Sequence, residues 1–115
     1  MKIEVKGRNV PVNDELRELV ERKFRKVAAQ VSDLARMEVE LREERNPAIA
    51  ENQVAEVTLY LKGATLRAEF AARELPHAVR QCSAELSRQV KRDRDKRRRR
   101  REAREAREAG PQPAV

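Results

Sequence analysis

Residues 56–73 read EVTLYLKGATLRAEFAAR, two alternating runs on either side of Lys62-Gly63. In the first, Val57, Leu59 and Leu61 fall on one face, with Glu56, Thr58, Tyr60 and Lys62 on the other. In the second, Leu66, Ala68, Phe70 and Ala72 share a face opposite Arg67, Glu69 and Arg73. Successive side chains of a strand point to opposite faces, so both runs read as half-buried strands. Lys62-Gly63 supplies the turn that folds them into a hairpin. The period then changes. Pro76 suits the first turn of a helix, where its missing N–H has no partner to lose. Val79, Cys82, Leu86 and Val90 follow at spacings of three and four. A hairpin with one apolar face, followed by a helix with one apolar stripe, predicts a sheet with helices packed on it.

Working back from the hairpin, Asn46-Pro47 opens a loop running to about Asn52. Before it, Met37, Val39 and Leu41 alternate with Glu38, Glu40 and Arg42, which reads as another strand. Further upstream, Leu16, Leu19, Val20, Phe24 and Val27 recur at helical spacing, opposite Arg17, Glu18, Glu21, Arg22, Arg25 and Lys26. Asn13 is a good N-cap for that helix, and Asp14 and Glu15 suit its first turn. Lys2 to Arg8 alternates again, with Ile3 and Val5 on one face. The predicted order is β-α-β-β-β-α, an α+β two-layer sandwich with a four-stranded sheet and two helices on one face.

Beyond Val90 the apolar stripe stops, but helix-forming residues continue. Arg-Glu-Ala recurs at 101–103, 104–106 and 107–109, and Gly110, Pro111 and Pro113 end the pattern. The expected division is an α+β domain over residues 1–96 and a basic tail over 97–115, helical at first and then disordered. The last helix is expected to extend beyond the body. Charge is divided in the same way. Residues 1–87 hold 15 Lys/Arg and 15 Asp/Glu, whereas residues 88–107 hold 12 and 4. A neutral body that concentrates its excess charge in one segment has the electrostatic footprint of a nucleic-acid binder. Five consecutive arginines, Arg97, Arg98, Arg99, Arg100 and Arg101, would face all sides of a helix and suit phosphates approaching from several directions. Lys23, Arg25 and Lys26 would join them if the two helices lie side by side. The bland alternatives are a solvated helix end, a wet helix face, and a nuclear-localisation run.

Other classes are disfavoured. The core must be aliphatic, since the chain has two Phe, one Tyr and no Trp. The single cysteine, Cys82, rules out an internal disulfide and lies on an apolar stripe, so it reads as a core residue of a cytosolic protein. No apolar run approaches a membrane span, and the N-terminus has no signal core. A cytoplasmic location with no membrane partner is expected. His77 has no second ligand nearby, so no metal is expected. There is no Gly-rich phosphate loop and no nucleophile–base pair, hence no catalytic residues, cofactor or small-molecule substrate are expected. Apart from Tyr60 the exposed sheet face offers no aromatic on which bases could stack. The chain reads as a binding protein rather than an enzyme.

Several stretches together resemble the ribosome hibernation promoting factor family, which includes the ribosome-associated inhibitors. They are Gly7-Arg8-Asn9-Val10, Asn13-Asp14-Glu15-Leu16-Arg17, Val20 and Lys23-Phe24-Arg25-Lys26. Downstream they continue with Leu59-Tyr60-Leu61-Lys62-Gly63 and Leu86-Ser87-Arg88-Gln89-Val90, then Arg92, Arg94, Asp95 and Lys96. The likeness covers about residues 2–97. It departs at the start of the second helix, where Pro76 and Arg80 replace an aromatic and an acid, and at Glu85, where Lys is common. The resemblance implies a factor bound to the small ribosomal subunit, in the cleft holding messenger RNA and the anticodon ends of transfer RNA. There it would stop translation and protect idle ribosomes during stationary phase or stress. The implied partners are the small ribosomal subunit, its ribosomal RNA and the whole ribosome. The dimerisation domain of long members is expected to be absent. The rRNA-binding candidates are Lys23, Arg25 and Lys26 from the first helix and Arg88, Lys91, Arg92, Arg94 and Lys96 from the second, with Arg97–Arg101 adding general attraction. Two alternatives stay open: a general RNA-binding or ribosome-assembly protein, and a charged protein-interaction module such as a sigma-factor modulator.

Overall fold

The computed structural model describes residues 1–46 and 48–109. The elements run β1 (Lys2–Arg8), α1 (Asp14–Ala28), β2 (Arg36–Glu43), β3 (Gln53–Leu61), β4 (Ala64–Ala72) and α2 (Leu75–Ala109), the order the sequence pattern predicts. The four strands form one sheet in the order β1-β2-β3-β4. β1 and β2 are parallel, so no tight turn can join them, and α1 is the crossover. The other pairs are antiparallel. Register places Val5, Val39, Val57 and Ala68 directly opposite one another in one row across the sheet.

That row belongs to the face on which the helices sit. α2 lies across β3 and β4, and α1 packs beside α2 and touches β1. Val20 and Phe24 from α1, Val79, Cys82 and Leu86 from α2, and Met37, Val39, Leu41, Val57 and Leu59 from the sheet are fully buried. The core is aliphatic with one central phenylalanine. Tyr60 lies on the other side of the sheet and is half-buried.

Local chemistry explains the joints. Asn13 caps α1 by accepting the Leu16 N–H at 2.8 Å. The chain reverses after β1 through Asn9 at φ 61, a left-handed value that asparagine tolerates better than most residues. Gly7 is required there because a Cβ would lie 2.5 Å from the Val10 carbonyl oxygen. Gly63 takes φ 81 in the β3–β4 turn. Pro76 sits within the first turn of α2, whose first helical hydrogen bond runs from the Ala78 N–H to the Glu74 carbonyl.

α2 has 35 residues, so it is about 52 Å long. Its last buried residue is Val90. The segment from Lys91 to Ala109, about 28 Å, therefore projects beyond the core. The projection accounts for a radius of gyration of 18.7 Å, against about 13 Å for a compact chain of this length. The division drawn at residue 96 falls inside this continuous helix, and the expectation for residues 110–115 lies outside the described residues. Among those described, no helix is long and apolar enough to cross a membrane.

Candidate nucleic-acid interface

The candidate residues occupy the two packed helices. On α1, Lys23 is half-buried at the edge of the apolar stripe, while Arg25 and Lys26 are exposed. Arg25 is already engaged: its guanidinium pairs with Glu21 at 2.9 Å and donates to the Met1 carbonyl at 3.1 Å, holding the N-terminus against the helix. The ion pair that forms on this face is thus Glu21–Arg25, not the Glu18–Arg22 pair that the spacing also allows.

Arg88 and Arg92 on α2 converge on Glu85, at 2.8 and 3.4 Å. The Arg88 hydrogen bond, then that of Gln89, holds the Glu85 carboxyl below the usual carboxylate range. Gln89 in turn donates to the Arg67 carbonyl at 2.8 Å and ties this flank of α2 to β4. Glu85 therefore neutralises part of the cationic charge nearest the body. Further along, Arg97 pairs with Asp93 at 2.9 Å and donates to the Lys62 carbonyl at 2.9 Å. This contact joins the helix to the β3–β4 turn beyond the last buried residue. Arg98 lies 3.8 Å from Asp95 and 4.0 Å from Glu102. Among the described residues, Lys23, Lys26, Lys91, Arg94, Lys96, Arg99, Arg100 and Arg101 have no carboxylate within 4.0 Å.

Arg94, Arg97, Arg98 and Arg101 line one groove beneath the projecting helix. Lys96, Arg99 and Arg100 are not part of that lining, so the helix carries cations on more than one face. Sequence reasoning missed how many of the arginines pair internally. The signal was present in the spacings Glu21–Arg25, Glu85–Arg88 and Asp93–Arg97, since neighbours three or four apart meet on a helix.

The open face of the sheet has the opposite character, with charges that compensate one another. Lys6, Glu40, Glu56 and Glu69 form one row across all four strands. Arg42 contacts Glu44 and Glu69 at 3.0 and 3.1 Å, and Glu40 and Glu56 at 3.8 and 3.9 Å. A hydrogen bond to Glu69, then burial, holds the Glu56 carboxyl above its ordinary value. The Arg36 guanidinium lies 4.4 Å from the centre of the Tyr60 ring, and the Tyr60 hydroxyl donates to Glu38 at 3.3 Å. No stacking platform is left open there. Cys82 is buried, donates its S–H to the Ala68 carbonyl at 3.4 Å, and has its thiol pushed up to about 12 by burial. It stays protonated and unreactive. His77 makes an edge contact with Phe70 at 5.9 Å. Among the described residues, no group of three or more His, Cys, Asp or Glu is placed to hold a metal.

The same arrangement of strands and helices recurs in known proteins. The N-terminal domain of Protein Y from Thermus thermophilus aligns with a TM-score of 0.67 and 28% identity, covering 80% of this chain and 98% of that domain. A ribosomal subunit interface protein from Coxiella burnetii aligns with a TM-score of 0.71 over 83% of this chain and 99% of its own. At 18% identity that likeness speaks for the fold alone. A ribosome hibernation promotion factor from Picosynechococcus sp. is 28% identical over 97 residues, which is 84% of this chain and 50% of that protein. The chain thus spans about half the length of the curated relative it matches. Residues 3–98 match the sequence profile of the family described as Sigma 54 modulation protein / S30EA ribosomal protein, and the chain belongs to that family.

Proposed function

We propose that the chain is a ribosome hibernation factor that binds the small ribosomal subunit through the basic surface of α1 and α2. It occupies the channel that messenger RNA and transfer RNA use, blocks translation and stabilises idle ribosomes. The observation that carries this proposal is the set of cations on α2 without a carboxylate partner among the described residues: Lys91, Arg94, Lys96, Arg99, Arg100 and Arg101. They lie on a helix that projects from a body whose 15 Lys/Arg and 15 Asp/Glu cancel in residues 1–87. Folded RNA is recognised through its shape and backbone, which calls for Lys and Arg rather than stacking aromatics. Arginine suits phosphate because its planar fork bonds two oxygens at once. The family membership and the similarity to a hibernation promotion factor support the same assignment.

The mechanism is steric and electrostatic. Phosphate contacts release counterions, so binding weakens steeply with salt. The aliphatic core holds α1 and α2 as far as Val90, so that part of the surface is presented without a large ordering cost. Lys23 and Lys26 extend it from α1. Arg25, Arg88, Arg92, Arg97 and Arg98 set the shape of the surface through their internal pairs and add charge at its edges.

Sucrose-gradient sedimentation with small subunits, large subunits and whole ribosomes tests the proposal, read together with in-vitro translation. The expected result is saturable binding to small subunits and whole ribosomes, with loss of translation. Diffuse binding to every RNA species that disappears at moderate salt would overturn it.

A further inference from the structure

Where α2 leaves the body it overhangs a groove of about 980 Å³, walled by the α1–β2 loop, the end of β3 and one side of the helix. Its floor is aliphatic: Val31, Ala35, Leu61 and Val90. Leu34, also in the lining, is 96% exposed, and Ile49 is the one other large apolar side chain counted as exposed among the described residues. The helical wall carries Arg94 and Arg101, neither with a carboxylate partner among the described residues. Arg97 and Arg98 lie between them, paired with Asp93 and Asp95 of the same lining, so the unpaired charge of the wall is positive, and Arg97 fixes the wall to the β3–β4 turn.

We propose that this groove is a docking site for an acidic segment of a protein partner, anchored by aliphatic side chains. Charge complementarity and the floor together point to this occupant. Arg94 and Arg101 are seven residues apart, about 10 Å along the helix. On a chain in the polyproline II conformation, which repeats every three residues, two carboxylates three residues apart share an edge and lie about 9 Å apart. The two side chains between them project from the other edges, toward the aliphatic floor and Leu34. A nucleobase is a poorer fit. It needs a planar face to stack on, and the single aromatic in the lining, Tyr60, lies beside the Arg36 guanidinium and is held by Glu38. The inference concerns the isolated protein and does not depend on ribosome binding.

The probes are two labelled 12-residue Gly/Ser peptides and a 12-nucleotide oligouridylate. One peptide carries two Glu three residues apart and two Leu; in the other, Ser replaces Leu. Affinity is measured by fluorescence polarisation on the full chain, and the site is mapped by amide chemical-shift changes. The Leu peptide is expected to bind about tenfold or more tightly than the Ser peptide, because two apolar side chains leave water. Its shifts should centre on Val31, Leu34, Leu61 and Val90. Leu34→Asp, at an exposed position where folding should be unaffected, should weaken it by a similar factor, and Arg101→Ser should also weaken it. Equal binding of the two peptides, an unaffected Leu34→Asp protein, or shifts outside the groove would overturn the proposal. So would displacement of the peptide by oligouridylate with shifts at the same floor residues, which would assign the groove to RNA.

Discussion

Three residues of the sheet and its turn show how single positions are constrained. At Gly7 a methyl group would meet the Val10 carbonyl oxygen at 2.5 Å and the Val12 side chain at 2.8 Å. The nearest of these atoms is backbone and cannot rotate away. Gly7→Ala should therefore cost about 1–3 kcal/mol, measured as a lower urea midpoint with an unchanged slope. Gly63→Ala meets no atom within 4 Å but keeps φ 81, so its cost should be smaller, about 1–2 kcal/mol from backbone strain alone. Glu56 shows the reverse case, a native residue that opposes folding. It stands directly between Glu40 and Glu69 in the cross-strand row, and like charges placed opposite each other destabilise a sheet. Its folded-state carboxyl titrates above the ordinary value. A raised carboxyl favours the folded state below its unfolded pKa, and that contribution is lost as pH rises through the raised value. Glu56→Gln should thus stabilise the protein at neutral pH by about 0.5 kcal/mol, discounted for exposure and for the lost Arg42 contact. The gain should disappear by about pH 3, well below the ordinary glutamate value, where the carboxyl is protonated in both states. Urea titrations at the two pH values would show it, and a destabilised variant at neutral pH would contradict it.

At the level of elements, α2 is two helices in one: a stripe-bearing half held by the core and a cationic half held by side-chain pairs. The apolar periodicity of both helices and the alternation of β1–β4 were legible because each maps directly onto burial. Val79, Cys82, Leu86 and Val90 fill the core at the spacing that predicted them. The parallel pairing of β1 with β2 was not legible, since alternation gives a strand's faces but not its neighbour's direction. The groove was not legible either: Leu34 and Arg94 are 60 residues apart in sequence and meet only because the α1–β2 loop and α2 leave the body at the same end. Nor was the tie at Arg97, whose acceptor is the backbone carbonyl of Lys62 and so has no sequence signature. Arg97→Ala should remove that tie and raise amide exchange from residue 98 onward, with α2 up to Val90 unchanged. Its effect on RNA binding should differ in kind from that of Arg99→Ala. Losing a cation free to contact phosphate lowers the salt slope by up to about 0.9, whereas Arg97→Ala should lower it less, because its guanidinium is already occupied. Equal slopes for the two variants would mean that Arg97 contacts phosphate and that its bond to the turn is incidental.

For the whole molecule, burial and excess positive charge fall in different parts of the chain. Among the described residues every buried one lies at or before Val90, and the excess positive charge lies at or after Arg88. This separation keeps self-repulsion among the arginines out of the core, where low dielectric would enlarge it. It also makes the division between body and tail testable as a proposal. A chain ending at residue 97 keeps the whole core and the Arg97–Lys62 tie, but loses Arg98 to Arg101 and the Arg-Glu-Ala repeats. Its thermal midpoint should stay within about 4 °C of the full chain, equivalent to less than about 1 kcal/mol for a domain of this size. Its affinity for small subunits should fall, and the fall should be largest at low salt, because the lost contribution is counterion release. A truncated protein that binds as tightly and with the same salt slope would place the binding energy on Lys23, Lys26, Lys91, Arg94 and Lys96, and make the projecting helix dispensable. A truncated protein that melts much earlier would instead show that the projecting helix supports the body it leaves.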